Sequence, residues 1–141
     1  MNIKDIMQPS PILKSASITL KEAAEIMANE QVGFLLIGDN DQLRGTLTDR
    51  DIVIRGVSKG KNINSTPVED ILTDEILYCR ETQSTDEVAQ NMSEQQVRRL
   101  PVVNDEKRLV GIVSLGDIAQ HLSADIAGKV LKGVTEERRA A

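Results

Sequence analysis

Two eight-residue stretches set the terms for the rest of this chain. Gly45-Thr46-Leu47-Thr48-Asp49-Arg50-Asp51-Ile52 reads as a short strand that turns directly into a helix, and Gly111-Ile112-Val113-Ser114-Leu115-Gly116-Asp117-Ile118 does the same again. Glycine permits close backbone approach, Thr46 and Leu47 suit a pleated strand, and Thr48 is a preferred helix N-cap. Asp51 falls three residues after that cap, where its carboxylate can reach back to unpaired backbone N–H groups. Ser114 and Asp117 stand in the same relation.

The two stretches belong to a longer internal repeat. Asp5-Ile6-Met7 is matched by Asp70-Ile71-Leu72, and Thr19-x-x-Glu22 by Ser84-x-x-Glu87, each a capping box opening a helix. Ala24, Met27, Gln31, Val32 and Leu35 pair with Ala89, Met92, Gln96, Val97 and Leu100. The second copy then gains one residue in a polar turn, as a duplication leaves it. Each copy predicts β-α-β-β-α. A short β segment (Ile12-Leu13; Leu77-Tyr78) precedes a helix whose apolar face is Leu20, Ala23, Ala24, Met27 and Ala28 in one copy, and Val88, Ala89 and Met92 in the other. Strands follow at 33–37 and 45–47, and at 99–103 and 110–113, with second helices starting at Thr48 and Ser114. The fold class expected is α/β (mixed α+β), with repeat 1 at 1–60, a linker at 61–69, repeat 2 at 70–123 and a tail at 124–141. In the tail Ile126, Val130 and Val134 give a marginal helix, interrupted by Gly128 and Gly133, before frayed residues 136–141. Halves this small should pack on each other to complete a core.

Composition excludes several functions. Seventeen basic against 22 acidic residues leave a net charge of −5, which argues against a duplex-DNA binder. One Phe, one Tyr and no Trp make the core aliphatic, so a ligand base would lie against Val, Ile, Leu or Met. Lone Cys79 and lone His121 offer no disulfide and no zinc cluster, and neither suits a nucleophile or base; His121 is placed in the last helix of repeat 2, at the surface or an interface. No apolar run reaches a membrane span and no signal peptide opens the chain, so a cytoplasmic protein is expected. Asp39-x-Asp41 begins like a calcium loop but has Arg44 and Arg50 where Gly and Glu are needed. There is no phosphate-binding glycine loop and no nucleophile–His–acid set.

The duplicated Gly-x-x-Thr/Ser-x-x-Asp pattern, with Leu100-Pro101-Val102-Val103, resembles the CBS-domain pair (Bateman module) over roughly 5–123. One departure is Leu36, at the position of Pro101. The resemblance implies two repeats packed with a pseudo-two-fold, and clefts between them that take AMP, ADP or ATP, with S-adenosylmethionine and NAD as other family ligands. By it, Thr48, Asp51, Ser114 and Asp117 contact ribose and phosphate, and Arg98 and Arg99 face a phosphate held across the pair from Asp51. Ile12, Leu13, Leu77 and Tyr78 would wall the adenine. It implies a non-enzymatic, stand-alone regulatory module that needs no cofactor, binds an adenine nucleotide, forms a homodimer and acts on an unidentified protein. The chemistry is consistent with this. An ionised aspartate accepts both hydroxyls of a ribose diol, and a helix start offers free N–H groups to a phosphate. The homodimer rests also on apolar Ile52, Val53, Val57, Ile118, Ile126 and Val130, read as exposed.

Other readings stay open from the residues alone. Thr48/Asp51 and Ser114/Asp117 could be capping boxes only, and Arg98-Arg99 a solvated strand edge. A structural dimerisation module with vestigial clefts is the main alternative. An Asp49/Asp51 nucleotide hydrolase is the second, and magnesium would enter only through a bound nucleotide's phosphates.

Overall fold

A computed structural model describes residues 1–40 and 42–136. Asp41, and with it the end of the Asp39-x-Asp41 turn, lies outside the described residues, as do residues 137–141 of the tail. The elements are β1 (Gln8–Pro9), β2 (Leu13–Lys14), α1 (Leu20–Glu30), β3 (Phe34–Asp39), β4 (Gln42–Thr48), α2 (Asp49–Asp51), β5 (Cys79–Arg80), α3 (Thr85–Gln95), β6 (Arg99–Val103), β7 (Leu109–Ser114), α4 (Leu115–Ala119) and α5 (Ala124–Thr135). A π-helical stretch, Ile52–Gly56, and a 3-10 turn, Val57–Lys59, continue α2.

The caps form as the hydroxyl-x-x-acid spacing predicts. Thr19 accepts from Glu22 N–H and donates its own N–H to the Glu22 carboxylate, closing the box that opens α1. Ser84 accepts from Glu87 N–H to open α3, but the expected box stays half-made, because the Glu87 carboxylate accepts from Gln83 Nε2 instead. Both helices end alike, on a left-handed glutamine (Gln31, φ 55°; Gln96, φ 57°) whose N–H returns to the carbonyl of Met27 or Met92. The short β segments fall later than the apolar pairs suggest. They are Leu13–Lys14 and Cys79–Arg80, and Ile12 and Tyr78 are left exposed.

The chain divides into two compact units, residues 12–76 and residues 1–11 with 77–141, which do not coincide with the repeats. The first segment of each copy is strand-paired inside the unit built mainly from the other. In the 12–76 unit, β2 pairs parallel with β3, β3 antiparallel with β4, and Thr46 exchanges two 3.0 Å backbone hydrogen bonds with Thr73 beyond β4. In the other unit the order is β1-β7-β6-β5, with Pro9 opposite Gly111. This explains the motif glycines. A Cβ on Gly45 would stand 2.5 Å from Thr73 O, and one on Gly111 3.0 Å from Gln8 O.

Each unit has its own aliphatic core. Leu20, Ala23, Leu35, Ile37, Leu47 and Val68 fill one, and Ile3, Val88, Met92, Leu100, Val113 and Ile118 the other. Residues 61–69, expected as a linker, are tied down: Val68 is fully buried and its N–H donates to Ile18 O at 2.8 Å. The tail helix is continuous from Ala124 to Thr135, capped by Ser123, and puts Val130 and Val134 into the core. Gly133 does not interrupt it, because α5 lies against α3 there and Gly133 packs on Ser93. No described helix covers α1 in this way. Ala24 and Ala28 are therefore exposed, whereas Ala89 is buried. Among the described residues no helix is long and apolar enough to cross a membrane.

Candidate functional site

The two strand-to-helix turns are closed by the same pair of hydrogen bonds. Asp51 N–H donates to Thr48 Oγ1 and Thr48 N–H donates to Asp51 Oδ2, both at 3.0 Å. Asp117 N–H donates to Ser114 Oγ and Ser114 N–H to Asp117 Oδ2, both at 3.1 Å. Each carboxylate is half-buried with Oδ2 engaged, and no described residue donates to its Oδ1. That oxygen remains available as an ionic acceptor.

Unpaired N–H groups at the helix start are scarcer than the sequence suggests. Asp49 N–H donates to Gly33 O at 3.0 Å, and Arg50 N–H is taken at 2.8 Å by the Asp49 carboxylate beside it. With Asp51 N–H committed to Thr48, the first three donors of α2 are all occupied. In α4, Leu115 N–H donates to Arg98 O at 2.7 Å and Asp117 N–H to Ser114, while Gly116 N–H takes no partner among the described residues. The two turns therefore differ in charge. Asp49 stands at the first, whereas apolar Leu115 stands at the second with Arg98 and Arg99 beside it.

Arg98 and Arg99 are exposed and make no ion pair among the described residues. The structure gathers them with Ser114 at one groove of about 560 Å³, whose remaining wall is apolar and includes Leu115, Leu122 and Leu131. Asp117 does not line it. Among the residues expected to wall an adenine, Leu13 is half-buried and Leu77 packs against the core, while Ile12 and Tyr78 face solvent at 71% and 45% exposure. Cys79 is buried among Val88, Met92 and Val102, and burial pushes its thiol from 9.0 up to about 12, so it is held neutral. His121 is exposed and follows the end of α4 rather than lying within it. Among the described residues no group of three or more His, Cys, Asp or Glu could hold a metal ion.

The sequence matches the CBS domain twice, at residues 3–57 and 68–124. The chain belongs to the CBS-domain family. Hypoxic response protein 1 of Mycobacterium tuberculosis is a CBS-pair relative 40% identical over 132 residues, which span 93% of this chain and 92% of that protein. The crystal structure of Hypoxic Response Protein I, with two coordinated zinc ions, superposes with a TM-score of 0.78 at 41% identity over 86% of this chain and 99% of that one. The CBS domain pair of protein MJ0100, in complex with 5′-methylthioadenosine and S-adenosyl-L-methionine, gives 0.72 at 32% identity, over 86% and 94%. CBSX2 in complex with AMP gives 0.73 at 25% identity, over 85% and 94%. CBS-pair relatives thus carry adenosine compounds in crystals. The α5 helix of this CBS-domain protein begins where its second CBS match ends.

What sequence reasoning missed is the groove. Its apolar wall comes from α4, the turn that carries Leu122 and α5, and the sequence signal for it was Leu131 at helical spacing from Ala127 and Gly128.

Proposed function

We propose that this CBS-domain protein is a non-enzymatic regulator that binds an adenosine-containing nucleotide of the AMP, ADP or ATP class. The observation that carries this reading is the duplicated turn in which an ionisable aspartate keeps one oxygen unengaged beside a hydroxyl. Asp51 and Asp117 accept ribose hydroxyls, Thr48 and Ser114 stand beside them toward the phosphate, and Arg98 and Arg99 neutralise it. Aliphatic Leu13 and Leu77, with Ile12 and Tyr78, contribute adenine contacts. The crystallised complexes of CBSX2 and the MJ0100 pair support the choice of ligand class.

Signalling to a protein partner would start at Asp51. The chain continues from it into the π-helical Ile52–Gly56, a backbone form often found at functional sites, which also exposes Val53 and Ile54. A ligand that draws on the Asp51 carboxylate competes with the cap and shifts this segment.

Calorimetry and thermal melting with AMP, ATP, adenosine and S-adenosylmethionine test the reading. Binding to the folded state alone stabilises by about 2.7 kcal/mol at a hundred times Kd. Arg99→Ala should weaken AMP roughly 10- to 150-fold and leave adenosine nearly unchanged, since a charged hydrogen bond contributes about 1.5–3 kcal/mol. No melting shift with any of the four at millimolar concentration rejects it. A second reading, a structural dimerisation module, draws on the exposed Val53, Ile54 and Val57, and predicts that outcome.

A further inference from the structure

The π-helical Ile52–Gly56 carries one side chain that reaches out of its own element. Arg55 donates from Nη1 to Ile71 O at 3.1 Å and to Leu72 O at 3.3 Å. Those carbonyls follow the 3-10 turn Val68–Asp70, where the Ile71 and Leu72 N–H groups both turn back to Val68 O. A carbonyl at such an end has no partner inside the turn, and a guanidinium supplies one. No other described residue donates to Ile71 O or Leu72 O, and Arg55 makes no ion pair among the described residues.

The clasped residues lead straight into the sheet. Thr73 comes next and is held to Thr46 by the two 3.0 Å backbone bonds beyond β4. Leu72 lies so close to Gly45 that a Cβ there would stand 2.6 Å from its Cδ1. In the other direction, Asp51 precedes Arg55 by four residues, about one helical turn. One short segment therefore joins the Thr48–Asp51 turn to the backbone that pairs with β4. The second copy is built differently. By the repeat, the position of Arg55 is taken there by His121, which lies past the end of α4.

We propose that Arg55 is a latch that passes the state of the Asp51 carboxylate to residues 71–73. The proposal rests on the reading of Asp51 as a ligand group. A ligand that draws Asp51 away from Thr48 loosens the start of the segment, and the guanidinium one turn on leaves the two carbonyls. Thr73 then loosens from Thr46. Such coupling is reciprocal, so a chain without the latch presents the ligand with one restraint fewer to break. Arg55 is a positioning residue, acting through the backbone.

Amide exchange by NMR on the full chain, without and with saturating AMP, tests this. AMP should raise the exchange rate of the Thr73 amide in wild type by about tenfold or more. The Val32 amide, held by Met27 O at 3.0 Å, is the control and should keep its rate. Arg55→Met should exchange Thr73 fast without ligand, with no further rise on adding AMP. By reciprocity it should also bind AMP roughly fivefold or more tightly, whereas damage to the fold would weaken binding. Arg55→Lys keeps a cationic donor and should restore most of the wild-type response. Arg55 is exposed, so both variants should melt close to wild type. Binding of AMP with unchanged Thr73 exchange in wild type overturns the latch and leaves the nucleotide reading standing. So does an Arg55→Met chain that binds AMP no more tightly than wild type. Absence of AMP binding to wild type overturns both.

Discussion

Thr48 and Asp51 each donate a backbone N–H to the other's side chain at 3.0 Å, so one pair of residues both caps α2 and presents a carboxylate. The two roles separate by substitution. Thr48→Ala removes the acceptor for Asp51 N–H and should cost about 1 kcal/mol in urea unfolding. Asp51→Asn keeps a neutral acceptor for the cap but loses the charge. It should unfold nearly as wild type does while binding AMP at least tenfold more weakly in calorimetry.

Two glycines of α5 should respond in opposite directions. A Cβ on Gly133 would overlap Ser93 of α3, so Gly133→Ala should destabilise by about 1–3 kcal/mol through overpacking. Gly128 faces open space in the same helix, so Gly128→Ala should stabilise by up to about 1 kcal/mol from helix propensity. Denaturant midpoints of the two variants check the pair.

Cys79 should stay unlabelled by a thiol reagent at pH 8 in the native protein and react once the chain is unfolded. Its thiol loses a proton near 9.0 in an ordinary setting and near 12 when buried here, so the folded state binds more protons between those values. Stability from this group is complete below pH 9 and is lost as pH rises toward 12. Cys79→Ala should flatten that part of the stability profile.

The surface proposed for self-association differs from the set read off the sequence. Ile52, Ile118 and Val130 are core residues, whereas Val53, Ile54 and Val57 expose 56%, 46% and 57% of their surface. Ile126, also from that set, is exposed on α5. A homodimer through the helix that follows Asp51 should appear by light scattering, and Val53→Lys with Val57→Lys should convert it to monomer at unchanged melting temperature. A wild-type monomer at all concentrations counts against the dimer.

The sequence by itself determined whatever depends on neighbours a few residues apart. The caps at Thr19, Thr48, Ser84 and Ser114 are three-residue relationships, and each forms the hydrogen bond its spacing implies. The strand Arg99–Val103 and the duplicated helices follow from short-range periodicity in the same way. Tertiary structure alone decided that residues 1–11 join the unit of 77–141, because the pairing of Pro9 with Gly111 links strands about a hundred residues apart with no local signature. It also decided which alanines and valines are core. The α5 helix covers α3, so Ala89 and Val130 are buried, while Ala24, the counterpart of Ala89 on α1, faces solvent. The meeting of Arg98 and Arg99 with Leu131 has the same origin, since packing joins residues that no sequence period relates.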